Sequence, residues 1–591
     1  MVISILRLAA VCVSTYGYIL FFGERITPAL SIGFTFACIG SAMFFAGLLN
    51  VLPEAALIVC LSGLLCLGLS LKKGIKPSLD LGGAFFLVML SALTFRVWGR
   101  QFIQLDNFTH WGLVVRHMLA KNRFPNFSDS YIRFQSYPVG SGSLIYYFAM
   151  LSGIHAEWFQ MLVHWACSAS MFCGLLCLAD NIPAKVTAFI VAPLLLCADN
   201  SFDQLLVDGT LGFVALGAAI FCAYHAKDLR QKGLYVIPWL TYLVSVKNSG
   251  ALFALFIVAL VLIWGGWRKG LAGAAAPAAT LLLWNRHVAY GFEQGMMAQH
   301  SMSIDNFRRM LDAKRAGSVE TILSGMVREV FSPANPYLLV FLISLAALGL
   351  AAVWLKEERR VRVLLIYGIA CYLIYQAGMA CMYVFTMSEK EAVRLASYPR
   401  YHATILIFSS GVMTMALILM SNRVKALKNG RVWTVACCAA CVASIVVSGI
   451  PRYYVNESQM NDYTGNLLPV REKADDILRQ GELNPEARYY ILVDDDFTTV
   501  ETMFLYNMVN CRMLARDVQV RKLDKLFNPE EVKQYDYLVR YGESDALRDF
   551  IRENYGSQAR IVRTAPEEKP DADQSTQAPA SRGSQARGRG R

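Results

Sequence analysis

Residues 81–121 read LGGAFFLVMLSALTFRVWGRQFIQLDNFTHWGLVVRHMLAK. Residues 81–97 are apolar over a length of about 25 Å as a helix, close to the thickness of bilayer hydrocarbon. Asp106 follows just outside that run. From Asn107 to Lys121, Phe108, Trp111, Val115, Met118 and Leu119 recur at helical spacing, with His110, Arg116, His117 and Lys121 between them. The pattern predicts an amphipathic helix in the membrane interface, anchored by Phe108 and Trp111 and ended by Pro125. A span leading into such a helix describes a membrane protein with chemistry at its surface.

The rest of the chain agrees. Of 591 residues, 55% are hydrophobic and 17% charged, too few charges to cover a soluble protein. Residues 451–591 hold 21 Lys and Arg against 24 Asp and Glu, which leaves 35 and 20 for residues 1–450. The basic excess therefore belongs to a membrane body with basic connectors and does not call for nucleic acid. About 14 runs qualify as spans: 4–22, 28–49, 53–71, 81–97, 158–179, 184–199, 208–226, 234–247, 249–266, 271–290, 336–355, 362–386, 402–420 and 432–450. Of 15 cysteines, 14 lie in apolar runs, so no disulfide framework is implied, and the Cys438 and Cys441 pair reads as helix packing.

Lys and Arg accumulate in cytoplasmic connectors. Lys72–Lys76, Lys227–Lys232, Trp267–Lys269, Lys356–Arg362 and Arg423–Arg431 all fall on one side of this stack. Connectors 98–157, 291–335 and 387–401, with the polar tail, then face the other side. Within 98–157, Ser141–Leu151 follows Tyr137-Pro138-Val139-Gly140 and predicts a surface or re-entrant helix.

Asp106 is the leading catalytic candidate, because a carboxylate at the mouth of a span is costly without a partner or a task. The plainer reading is a cap accepting from the amide of Phe108 or Thr109. Asp106, His110 and His117 share a helix face and form a candidate divalent-cation set, with no cofactor otherwise required. Asp199 and Asp208 lie in the turn LCADNSFDQLLVDGTLGF, and Lys247 interrupts an apolar stretch. His155, Glu157 and His164 are expected to pack or hydrogen-bond.

The string Asp106-Asn107-Phe108-Thr109-His110-Trp111, Tyr137-Pro138-Val139-Gly140, Asp208-Gly209-Thr210-Leu211-Gly212 and Val246-Lys247-Asn248 together resemble the GT-C glycosyltransferases, nearest to the bacterial aminoarabinose and protein O-mannosyl transferases. The likeness covers roughly residues 80–450. Two departures are Asn107 where many relatives carry a second acid, and three spans preceding the usual first one. The resemblance implies transfer of a sugar from a polyprenyl-phosphate donor to a cell-envelope glycan or lipid acceptor, inverting at the anomeric carbon. In that chemistry Asp106 is the base and Asp208 a second carboxylate. His110, Arg116, Lys121, Tyr137, Asp199, Lys247, Arg394, Arg400 and Tyr401 are the binding candidates, the cations facing the leaving phosphate. Rival readings are a flippase of lipid-linked saccharides, which predicts internal repeats, and a scaffold whose tail binds partners.

Beyond residue 450 the pattern becomes α/β. Arg488–Val493 and Asp536–Val539 read as strands, Thr498–Glu501 as a capping box ahead of a helix, and 545–556 as another helix. Asp494–Asp496 read as a strand end leading into that cap, with cation binding as the alternative. The predicted fold is thus a polytopic α-helical membrane protein of about 12–14 spans, GT-C-like, with a small C-terminal soluble α/β domain. Its segments are 1–80 (leading spans), 81–450 (catalytic membrane region with the exofacial loop 98–157), 451–563 (soluble domain) and 564–591 (disordered tail).

Overall fold

The computed structural model describes residues 2–76, 79–126, 129, 132, 134–197, 202–291, 304–331, 342, 345, 349, 359–423, 457–479, 487–494, 497–508, 517–523 and 527–564. The expected span 336–355 apart from 342, 345 and 349, the expected span 432–450, Asp199, Cys438, Cys441, Asp495, Asp496 and the tail from residue 565 lie outside the described residues. The chain divides into two compact units, one of Met1–Glu472 with Thr502–Leu514, the other of Lys473–Glu501 with Ala515–Arg591.

The first unit is a multi-pass helical body. Among the described residues, seven of its helices are long and apolar enough to cross a membrane: Val2–Ile26, Pro28–Leu48, Leu52–Lys72, Glu157–Leu178, Val207–Tyr224, Arg359–Phe385 and Tyr398–Ser421. Leu81–Val97 and Gly250–Gly265 are shorter and also apolar. All twelve expected spans within the described residues are helical, with one correction: 234–247 is a short α-helix, Ile237–Val246, entered through a 3₁₀ turn, Gly233–Val236. Ten α-helical residues rise only about 15 Å, half the hydrocarbon thickness. This buried half-span stops where the backbone extends at Lys247.

Val207–Tyr224 is 94% buried along its apolar window and Val2–Ile26 only 22%, so the former is central and the latter presents most of its surface outward. The first and third helices meet through small residues. A Cβ on Gly63 would lie 2.2 Å from Ser14 Oγ, and Ser14 donates to the carbonyl of Cys60 at 2.7 Å. Close backbone approach with a polar side chain bonded across the gap is how helices associate where no hydrophobic drive separates them from lipid.

Connector 98–157 departs from its expectation. Asn107–Trp111 is a π-helical turn that passes into the α-helix Gly112–Lys121, and Asn122 ends it in the left-handed region with φ 54°. Phe108, His110 and His117 are buried at 0%, 2% and 0% exposure, so this is not an interfacial helix with Phe108 in lipid. Helical periodicity locates an apolar stripe without saying whether lipid or protein covers it. Here the cover is protein: Phe108 packs edge-on against Tyr506 at 4.9 Å and stacks on Tyr463. Helix Gly140–Ser152 is mostly buried, which favours the re-entrant over the surface form of the expectation.

Two carboxylates organise the connector. Buried Asp129 accepts from Arg123 at 2.7 and 3.0 Å and from the Asn126 amide at 2.8 Å, with Lys121 at 3.5 Å and His117 at 3.7 Å. Burial pushes its pKa up, but the Arg123 hydrogen bond and the neighbouring cations outweigh this and hold it below the usual range. Glu157 accepts from Arg471 at 2.7 Å, Arg116 at 3.2 Å, the Tyr506 hydroxyl at 2.7 Å and the Phe102 amide at 2.8 Å.

The second unit is an α/β fold with sheet order β2-β1-β3-β4: β1 Arg488–Val493, β2 Asp517–Lys522, β3 Tyr537–Arg540 and β4 Ile561–Arg563. The strands β2 and β3 run parallel to β1, and β4 antiparallel to β3. Tyr490 and Leu492 pack with Val532, Leu538, Leu547 and Ile551. Asp494 accepts from the amides of Glu543 (2.7 Å) and Ser544 (3.2 Å), where a Cβ on Gly542 would come within 2.6 Å of its carboxylate. That is the structural reading of the acidic strand end. The expected capping box is displaced, since the helix Phe497–Met508 has already begun before Thr498.

Candidate active site

Two glycines in the quoted motifs bring the site together. A Cβ on Gly140 would lie 2.1 Å from Ser245 Oγ, so Tyr137-Pro138-Val139-Gly140 packs directly on the chain two residues before Lys247. Asn248 Nδ2 then donates to the Ser136 carbonyl at 3.1 Å, and Trp284 Nε1 to the same oxygen at 3.0 Å. A Cβ on Gly212 would lie 2.7 Å from the Thr404 carbonyl oxygen. Helices Val207–Tyr224 and Tyr398–Ser421 therefore touch there, and one turn back along each, Asp208 and Arg400 face one another.

The result is a four-charge array. Lys247 Nζ lies 2.6 Å from Asp208 Oδ1, Arg400 Nε 3.1 Å from Asp208 Oδ2, and Arg400 Nη1 2.9 Å from Asp106 Oδ2. The Tyr401 ring lies 5.0 Å from the Lys247 ammonium and 5.4 Å from the Arg400 guanidinium, within cation–π range, and the Tyr137 ring is 5.9 Å from Lys247. Asp208 is nearly enclosed at 6% side-chain exposure, while Asp106 is open at 44%. The cap reading of Asp106 fails, because its side chain makes no cap hydrogen bond and turns to Arg400.

A brace fixes the two acids relative to each other. Buried Arg96 holds Asp203 in a two-pronged pair at 2.8 and 3.1 Å, with Arg100 at 3.4 Å. Asn107, beside Asp106, accepts the Leu205 amide at 2.8 Å through Oδ1 and donates to the Gln104 carbonyl at 3.2 Å. Asp106 and Asp208 thus sit on two stretches stitched together by Asp203 and Asn107. Sequence reasoning passed over Arg96, although an arginine inside an apolar run was the available signal.

The other predicted residues are elsewhere. Arg116 goes to Glu157 and stacks on Tyr506 with its guanidinium 3.7 Å from the ring centroid. Lys121 goes to Asp129. Arg394 is exposed and lines a groove with Arg315 and Lys390. His110 is enclosed by Trp111, Phe134 and Tyr137, and neither ring nitrogen has a hydrogen-bond partner among the described residues. Burial, with Lys247 nearby, holds its pKa down to about 3, so its imidazole is neutral. His164, between Thr210 at 3.0 Å and Ser141 at 3.2 Å, has the hydrogen-bonded role expected of it.

Asp106, His110 and His117 do not converge, and among the described residues no three His, Cys, Asp or Glu side chains are grouped to hold a metal ion. Asp106 and Asp208 share Arg400.

No protein-family profile matches the chain, and no curated protein matches it. A solved structure does. The crystal structure of ArnT from Cupriavidus metallidurans bound to undecaprenyl phosphate aligns with 81% of this chain and 96% of its own, at a TM-score of 0.48 and 12% identity. At that level the likeness bears no functional weight, which falls on the geometry of the charged array.

Proposed function

We propose that the protein is a membrane glycosyltransferase of GT-C type that moves a sugar from a polyprenyl-phosphate donor to a hydroxyl of a cell-envelope acceptor on the non-cytoplasmic face. One observation carries the reading: Arg400 bridges the open carboxylate of Asp106 and the enclosed carboxylate of Asp208, with Lys247 completing the set. Asp106 takes the acceptor proton as that oxygen bonds to the anomeric carbon, and the bond from that carbon to the phosphate oxygen breaks with inversion. The leaving phosphate carries off the bonding pair, and Arg400 and Lys247, placed beforehand, stabilise the charge it gains. Asp208 holds both cations in position, and the Tyr401 and Tyr137 rings wall the site.

Sidedness is supported by the helix ends. Asp208 and Arg400 sit near the starts of Val207–Tyr224 and Tyr398–Ser421, whose far ends lead to Arg230 with Lys232 and to Arg423. Lys247 likewise precedes Gly250–Gly265, beyond which come Arg268 and Lys269. The array therefore lies opposite the basic connectors.

The test is transfer of labelled sugar from polyprenyl-phosphate hexose or pentose by the full chain in lipid nanodiscs. Transfer that falls on Asp106→Asn supports the reading. Transfer undiminished by that change defeats the mechanism, and none with any such donor defeats the function.

A further inference from the structure

Two shallow grooves, neither lined by Asp106, Asp208, Lys247 or Arg400, share one residue. The first, about 620 Å³, is lined by Arg315, Ser318, Glu389, Lys390 and Arg394. The second, about 630 Å³, is lined by Val319, Glu320, Leu323, Ser324 and Val327. Gly317 belongs to both, and with φ 84° it turns the chain into the helix Ser318–Val330. A residue with a side chain would be strained in that conformation.

The first groove is cationic. Its one carboxylate, Glu389, is already engaged, accepting from Ser318 Oγ at 2.6 Å and the Arg315 amide at 3.0 Å, with Arg315 Nε at 3.6 Å. Lys390 and Arg394 are four residues apart at the helix Glu389–Val393, hence on one face, and both are exposed. Three cations against one occupied carboxylate leave the groove net positive.

The second groove faces outward and is largely apolar, with Glu320 and Ser324 on its wall. Helix Ser318–Val330 buries Ile322 and Met326 at 0% and 6% exposure, yet Leu323, Val327 and Phe331 form a second stripe at four-residue spacing, exposed by 43%, 59% and 73%. A helix needs one buried stripe to dock on its own protein. A second, pointing away and continuous with a cationic groove, calls for an apolar partner that ends in an anion.

We propose that the paired grooves bind an anionic membrane lipid, its phosphate among Arg315, Lys390 and Arg394 and an acyl chain along Leu323, Val327 and Phe331. Basic pockets at the membrane surface hold phosphate headgroups in this way. A free phosphate would leave the stripe in water, and a zwitterionic lipid would leave the cations uncompensated. The site uses none of Asp106, Asp208, Lys247 or Arg400 and stands whether or not the transfer chemistry is as proposed.

The test uses the full chain, purified in detergent, stripped of lipid, and titrated with phosphatidylglycerol or phosphatidylcholine, bound lipid being counted by native mass spectrometry. Phosphatidylglycerol is expected to bind in preference, near one per chain. The double variant Lys390→Ala with Arg394→Ala should lower its apparent affinity roughly thirtyfold, the effect of two cations. Leu323→Ser with Val327→Ser should also weaken it, and inorganic phosphate at millimolar concentration should not displace it. Equal binding of the two lipids, or indifference to the cation pair, overturns the proposal. So does displacement by inorganic phosphate together with indifference to the serine pair, which would mark an anion site alone. All four substituted side chains lie on exposed helix faces, and thermal unfolding of each variant verifies that the fold persists.

Discussion

Glu157 and the Asp106–Asp208 pair each face two cations, yet the two regions are built differently. At Glu157 both oxygens are saturated by Arg471, Arg116, the Tyr506 hydroxyl and the Phe102 amide, and the residue is 7% exposed. Nothing more can approach it. At the array the cations are shared out: Asp208 is enclosed by Lys247 and Arg400, while Asp106 meets the same Arg400 through one oxygen and is 44% open. A saturated carboxylate is a clamp. A carboxylate left open beside enclosed cations is placed to exchange a proton.

This contrast fixes what single substitutions should do. The largest effect is expected at Asp106→Asn, which should lower the single-turnover transfer rate roughly 10²- to 10⁴-fold while leaving thermal unfolding near that of the wild type. Glu157→Gln should do the reverse. With Arg471 and Arg116 left around a neutral side chain, the membrane body should lose about 3 kcal/mol of stability, read by denaturation in detergent, with a smaller loss of activity per folded molecule. If Asp106→Asn destabilises more than Glu157→Gln, the assignment of clamp and base is wrong.

A finer test lies in the packing that delivers Lys247. On Gly140→Ala the new methyl meets Ser245 Oγ at 2.1 Å, and that side chain or its backbone must shift. Overpacking of this kind costs about 1–3 kcal/mol. The account expects donor affinity to fall with it, because Lys247 is two residues away, and expects partial rescue by Ser245→Gly. Stability loss with donor affinity unchanged would separate the motif glycine from the site.

The smallest effect expected is one of pH. Buried His117 has its pKa lowered from 6.5 to about 4, chiefly by burial, with Asp129 opposing. Between those values the unfolded chain binds the proton and the folded one does not, so stability of connector 98–157 is full above pH 6.5 and falls as pH drops toward 4. Asp129, held below its ordinary range, adds a loss of the same sign at lower pH still. Hydrogen exchange at pH 7.5 and pH 5 should show faster opening of residues 112–126 at the lower pH, and slower opening would contradict the assignment.

What was legible in the sequence follows from cost. Asp106 and Lys247 stood out because a charge inside or beside an apolar run is expensive without a purpose; Asp208 and Arg400 entered through the resemblance, as a second carboxylate and a cation for the leaving phosphate, and the fold brings all four together. Arg116 and Lys121 were misplaced because their stretch is helical and amphipathic, and periodicity alone does not say what covers the apolar face. The cover includes Tyr506, whose hydroxyl reaches Glu157 across 349 residues of sequence. Contacts at that separation leave no local pattern to read. The α/β boundary was blurred for a similar reason: Thr502–Leu514 returns to the first unit in the middle of what reads as one continuous domain.

The most direct test of the central claim is the affinity of the purified chain for sugar-free polyprenyl phosphate, by titration in nanodiscs, across wild type, Asp106→Asn, Arg400→Gln and Lys247→Met. The account predicts that Asp106→Asn binds at least as tightly as wild type, since Arg400 is released from its acidic partner, and that Arg400→Gln and Lys247→Met each weaken binding by roughly tenfold or more. Affinity indifferent to both cations, or lost with Asp106 alone, would contradict it.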